Sequence, residues 1–151
     1  MSFRNRTLFR GISINRSWVV TKILVVDDDS AIRGVISTLL TALGYEVVTA
    51  GNGLEAVDVF CADAERIGLV LTDLRMPVMN GYEAVREIWR VKPAVRVVCM
   101  SSAEARCPAG ATFLAKPFTV VEVRDCIGRA LSEPAAPHPM ASQVVFGADG
   151  V

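Results

Sequence analysis

Histidine is nearly missing from this chain. Its 151 residues include one, His138, in a proline-bearing stretch near the end. The four cysteines, Cys61, Cys99, Cys107 and Cys126, form no Cys-x-x-Cys pair. The spacing that builds a zinc centre is therefore not present, and the thiols read as reduced cysteines of a cytoplasmic protein, Cys99 packed in a strand. Net charge is missing too: sixteen basic and sixteen acidic residues cancel, which gives no basis for nucleic acid as the main partner. No apolar run approaches the ~20 residues of a membrane helix, so no membrane partner is expected. Residues 1–21 lack the apolar segment of a secretory signal.

What is present suffices for a core. Hydrophobic residues make up 52% and charged residues 21%, which excludes global disorder, and the length fits one domain. Three zones are expected. Residues 1–21 carry Arg4, Arg6, Arg10 and Arg16 and no acid, and read as a flexible basic arm. Residues 22–132 form the folded unit. Residues 133–151, with Pro134, Pro137 and Pro139, read as a flexible tail.

The folded unit alternates strand and helix signals. Ile23–Val26 is a continuous apolar run, as in a strand covered on both faces. Ser30 is placed to cap a helix through about Leu43, with Ile32, Val35, Ile36, Leu39 and Leu40 on one stripe and Gly44 just past its end. Further strands are expected at Glu46–Ala50, Leu69–Thr72, Arg96–Met100 and Thr112–Leu114. Further helices are expected from Gly53 to about Ala62 (Leu54, Val57 and Cys61 inward), from Tyr82 to about Arg90, and after a Thr119 cap through Leu131 (Val120, Val123, Ile127 and Leu131 inward). This alternation implies right-handed crossovers and a doubly wound α/β fold: a five-stranded parallel sheet in a three-layer sandwich. Ligands of such sheets sit at the carboxyl ends of the strands.

That edge is where the chemistry collects. Ile23–Val26 stops at Asp27-Asp28-Asp29, and Leu69–Thr72 stops at Asp73. Like charges ~4 Å apart at an effective dielectric near 20 repel by roughly 4 kcal/mol. A hard divalent cation with a preference for carboxylate oxygen, such as Mg2+, removes that repulsion. Ser101-Ser102 follows the fourth strand and Lys116-Pro117-Phe118 the fifth. Carboxylates, a hydroxyl and an ammonium form a coherent set for phosphoryl transfer to a carboxylate.

The ordered segments ILVVDDDSAIR (23–33), LVLTDLRMPVMNGYEAV (69–85), VVCMSS (97–102) and FLAKPF (113–118) resemble the receiver domain of bacterial two-component response regulators, of the single-domain type. The resemblance implies a flavodoxin-like sheet of strand order 2-1-3-4-5. It implies that Asp73 is the phosphoacceptor and that Mg2+ is held by Asp27, Asp28, Asp73 and the backbone carbonyl of Arg75. Ser101 would hydrogen-bond the phosphoryl group, and Lys116 would pair with Asp73 or its phosphate. Ser101 and Phe113 would form the conformational switch, Phe113 acting through packing because it lacks a hydroxyl. A cis Lys116–Pro117 bond is also implied. The implied donor is a histidine kinase or a histidine phosphotransfer protein. With no output segment in the sequence, output is expected through contact with a downstream protein, or the chain acts as a phosphate sink.

One departure stands out. Eleven residues, Ser101–Ala111, with Pro108 and Gly110 among them, separate the fourth and fifth strands, too few for a comfortable helical crossover. One or two helical turns around Ala103–Arg106 are the most that fits, so a shortened fourth helix is expected. Two other functions are weighed. An Mg2+-dependent aspartyl-phosphate hydrolase would carry a second aspartate two residues after the nucleophile, where this chain has Arg75. A flavodoxin-like cofactor binder would need glycine and hydroxyl residues in the first loop, where three aspartates would repel phosphate.

Overall fold

The computed structural model describes residues 21–102 and 106–133. The basic arm (but for Thr21), the tail beyond Glu133 and most of the expected turns around Ala103–Arg106 lie outside the described residues. The elements are β1 (Lys22–Val26), α1 (Ser30–Ala42), β2 (Glu46–Ala50), α2 (Gly53–Ala62), β3 (Ile67–Asp73), α3 (Gly81–Val91), β4 (Arg96–Ser101), β5 (Thr112–Ala115) and α4 (Val120–Ser132). All strand pairs are parallel, in the order β2-β1-β3-β4-β5, as expected. β3 runs longer than the apolar run that announced it, taking in Ile67, Gly68 and Asp73.

Alternation along the strands builds two cores. Leu24, Val26, Val70, Val97 and Cys99 face α2 and α3, packing with Ala56, Phe60, Val85, Ile88 and Trp89. Ile23, Val25, Leu69, Leu71, Val98 and Met100 face α1 and α4, packing with Ile36, Leu40, Val123 and Ile127. Both faces of the central strands are covered, so β1 is apolar at every position from Ile23 to Val26 and fully buried there.

Several helix details differ from expectation. The α1 cap is Asp29, whose carboxylate accepts from the Ala31 and Ile32 amides. Ser30 is the first helical residue; a carboxylate also suits the positive end of the helix dipole. In α2 the buried stripe is Gly53, Ala56 and Phe60, while Leu54 is half exposed and Cys61 exposed. Both stripes have helical spacing, and the large aromatic removes more apolar area from water than Leu54 would. Val35 and Val120 are also exposed, because the inward stripes of α1 and α4 are narrower than their apolar content.

Two glycines bring the loop after β3 against its neighbours. The Gly81 amide donates to the Leu74 carbonyl at 3.0 Å, and a Cβ there would lie 2.2 Å from the Asp73 carbonyl oxygen. The Gly53 amide donates to the Met79 carbonyl at 2.9 Å, and a Cβ there would meet that oxygen at 2.4 Å. Asn80 and Glu83 form a capping box at the start of α3.

At the opposite, amino edge, buried Lys22 forms an ion pair with Asp63 and lies 3.4 Å from Glu46. The hydrogen bond from Lys22 holds the Asp63 carboxyl below its ordinary range.

Candidate functional site: an acidic pocket at the carboxyl edge of the sheet

β1 and β3 are neighbours in the sheet and end level with each other, Val26 opposite Thr72. The next residue on each chain is an aspartate. Asp27 is fully buried and Asp73 is 7% exposed, whereas Asp28 is exposed. One carboxylate oxygen from each of Asp27, Asp28 and Asp73 lies within 4.8 Å of the other two. Three hard anionic donors this close, one open to solvent, suit a small oxygen-seeking cation.

The backbone fixes these carboxylates. Asp27 donates its amide to the Ala50 carbonyl at 3.2 Å and accepts the Asp29 amide on Oδ1 at 2.9 Å. The Arg33 guanidinium, from the first turn of α1, donates to the Asp27 carbonyl at 2.6 Å. Beyond β3, the Leu74 amide donates to the Met100 carbonyl at 3.1 Å, and the Arg75 amide donates to Asp73 Oδ1 at 3.2 Å. Asp73 therefore presents its other oxygen, Oδ2, to the pocket.

Lys116 closes the cluster from β5. Its amide donates to the Ser101 carbonyl at 2.8 Å, continuing the β4–β5 ladder by one residue. The Lys116–Pro117 peptide is cis, as the resemblance implied. Its ammonium lies 3.1 Å from Asp73 Oδ2 and 3.2 Å from Asp27 Oδ2. Pairing with Asp73 was expected, but the bridge to Asp27 was not. Burial alone would lower the Lys116 pKa; the hydrogen bond to Asp73 and the charges of both aspartates more than offset that and raise it. Asp27 moves the other way from most paired carboxylates. Burial raises its pKa, against the Asp29 amide and Lys116, and the negative charge of Asp73 adds to the rise.

Ser101 sits at the end of β4, buried beside the cluster. Phe113 lies in β5, half-buried and opposite Cys99 in register, two residues back from the Ala115 that pairs with Ser101. Asp27, Asp28, Asp73 and Lys116 are thus brought together, with Ser101 at the same rim and Phe113 behind it. Arg33 was missed. Its signal was a cation six residues after the strand-end acid, on the helix turn that faces back over that acid.

A family model for the response regulator receiver domain matches residues 23–127. The chain belongs to the response regulator receiver family. Sporulation initiation phosphotransferase F of Bacillus subtilis is 33% identical over 117 residues, covering 73% of this chain and 93% of that protein. A receiver domain protein of Clostridium thermocellum superposes with a TM-score of 0.69 at 32% identity, over 75% of this chain and 95% of that one. CheY of Borrelia burgdorferi, solved as a CheX–CheY–BeF3–Mg complex, gives 0.72 at 25% identity, over 82% and 98%. Other relatives are larger: this chain spans 44% of the probable transcriptional regulator ycf27 of Porphyra purpurea. The chain is a flavodoxin-like receiver, a phospho-accepting signalling domain of two-component systems. Among the described residues no helix is long and apolar enough to cross a membrane.

Proposed function

We propose that Asp73 is the phosphoacceptor of this receiver. The observation that carries the proposal is the orientation of its carboxylate: Oδ1 is tied to the Arg75 amide, while Oδ2 faces Lys116 within the acidic cluster. Oδ2 attacks phosphorus in line, the bond from phosphorus to the donor nitrogen breaks, and an acyl phosphate forms on Asp73. Lys116 then has phosphoryl oxygens to pair with in place of the carboxylate. The Ser101 hydroxyl donates to another phosphoryl oxygen, and Phe113 reads that movement through packing.

The donor set fits Mg2+, held by Asp27, Asp28, Asp73 and the Arg75 carbonyl; bound there, the ion would neutralise charge on the transferring group. The magnesium in the complex of the related CheY supports this reading. The donor is a histidine kinase or a histidine phosphotransfer protein, and output runs through contact with a downstream protein. The donor must approach the rim that holds Lys116, and there it meets an open apolar groove of about 510 Å³ between Ile32, Val35, Ile36, Pro117 and Phe118. Residues 22–132 form the phosphorylated unit, with 1–21 and 133–151 as appendages to it. A hydrolase reading is not favoured, because the position for its second carboxylate is occupied by Arg75.

The test is intact-mass measurement after incubation with a small phosphodonor and Mg2+. Wild type gains one phosphate and Asp73→Asn gains none. Equal labelling of Asp73→Asn would move the acceptor elsewhere.

A further inference from the structure

One residue of α1 is at odds with its helix. Arg33 is the single charge among the thirteen residues of α1, and it stands in the first turn, where the helix dipole disfavours a cation. Its bonds point to the loop before the helix. The Arg33 amide donates to the Asp29 carbonyl at 3.0 Å, and its guanidinium donates to the Asp27 carbonyl at 2.6 Å. One residue therefore grips the carbonyls on both sides of Asp28. The guanidinium also rests against the β2–α2 loop, where a Cβ on Gly51 would lie 3.5 Å from Arg33 Nη1.

Asp28 depends on that grip more than its neighbours do. Asp27 is fully buried, with Oδ1 on the Asp29 amide and Oδ2 3.2 Å from Lys116, and the Asp29 carboxylate caps α1. The Asp28 side chain is exposed, and among the described residues no hydrogen bond or ion pair holds it. The direction of its carboxylate follows from the peptide plane that joins it to Asp27. The carbonyl of that plane is the one Arg33 holds, by a charge-assisted hydrogen bond.

Building on the reading of the cluster as an Mg2+ site, we propose that Arg33 is a positioning residue that makes this site selective for a small divalent cation over a large one. Mg2+ demands near-ideal octahedral geometry at ~2.0–2.1 Å, whereas Ca2+ accepts variable geometry at ~2.3–2.6 Å. A fixed Asp28 favours the smaller ion, and a loose Asp28 removes that advantage. The charge of Arg33 acts in the opposite sense. A guanidinium bonded to the Asp27 carbonyl adds positive charge near the cluster, so through charge alone its removal would tighten both ions.

The test compares the full chain as wild type, Arg33→Ala and Arg33→Met. Both replacements are strong helix formers, so α1 is kept; methionine retains an apolar stem and lacks the donor. Metal-free melting curves check the fold, and amide NMR titrations at constant ionic strength give dissociation constants for Mg2+ and for Ca2+. In both variants Mg2+ affinity should fall about 10-fold, the usual cost of losing a residue that orients a metal ligand. Ca2+ affinity should fall much less, so the ratio of the two moves against Mg2+. An unchanged ratio in either variant, or tighter binding of Mg2+, would overturn the proposal. Wild type with no Mg2+-dependent shifts at Asp27, Asp28 and Asp73 would overturn the Mg2+ reading itself, and the role of Arg33 with it.

Discussion

At the residue scale the site is a balance between burial and charge. Lys116 is one cation serving two buried carboxylates, so the pair Asp27 and Asp73 carries one uncompensated negative charge when no metal is bound. Asp27 bears the greater strain, being fully buried. In Asp27→Asn the amide oxygen still accepts from the Asp29 amide, and Lys116 still pairs with Asp73, while the desolvated charge disappears. The metal-free variant should therefore be more stable than wild type, by about 1 kcal/mol, the low end of what replacing a buried ionic group brings. Denaturant melts in chelator measure this, and a loss of stability would mean that Lys116 compensates both carboxylates fully. Strand-end acids and a lysine before proline were legible in the sequence because each sits where an apolar run stops. The double bridge from Lys116 was not, since it depends on how far β5 extends beside β4, and spacing along the chain does not report that.

At the element scale, the loop between β3 and α3 matters most, because it carries the backbone next to Asp73. Its path depends on Gly81, where a methyl group would fall inside contact distance of the Asp73 carbonyl. Backbone on both sides cannot give way cheaply. Gly81→Ala should destabilise the fold by about 3 kcal/mol, the upper end of ordinary overpacking, and slow phosphate uptake in the fraction that remains folded. A wild-type melting curve for this variant would mean that the loop relaxes freely. Elements at the other edge contribute to the acid response of the fold. Lys22 holds Asp63 between the β1 start and the α2 end. Its folded pKa is below the unfolded value of 3.8, so the stability it adds is present above that value and is lost as pH falls through the lower, folded one. Stability measured from pH 5 downward should fall more steeply in wild type than in Asp63→Asn; parallel curves would remove Asp63 from the acid response. Sequence patterning found every described helix and strand, because strands buried on both faces read as apolar runs and helices as stripes. It misjudged which stripe of α2 turns inward. Leu54–Val57–Cys61 and Gly53–Ala56–Phe60 both have helical spacing, and the choice is made by Phe60 and by the close approach of Gly53 to the Met79 carbonyl, both tertiary matters.

At the scale of the whole molecule, the pocket and the fold share their central strands. Asp27 and Asp28 follow β1, Asp73 ends β3, and these two strands lie side by side with both faces buried. The three carboxylates come together only when β1 and β3 are in register, so the unfolded chain offers a cation no comparable site. A cation held by these carboxylates would therefore be coupled to global stability by mass action. At a Mg2+ concentration about 100-fold above the dissociation constant, wild type should gain ~2.7 kcal/mol, a rise of roughly 10 °C in melting temperature for a domain of this size. Asp28 is the exposed member of the cluster, and Asp28→Asn removes a charged donor without disturbing the core. That variant should fold with a metal-free melting temperature close to wild type and need at least ~10-fold more Mg2+ for the same rise, a loss of about 1.4 kcal/mol in binding. Thermal melts across a Mg2+ titration separate the alternatives. Equal titrations would show that Asp28 is a solvated bystander, and a Mg2+-independent melting temperature in wild type would show that the three carboxylates coexist without a cation.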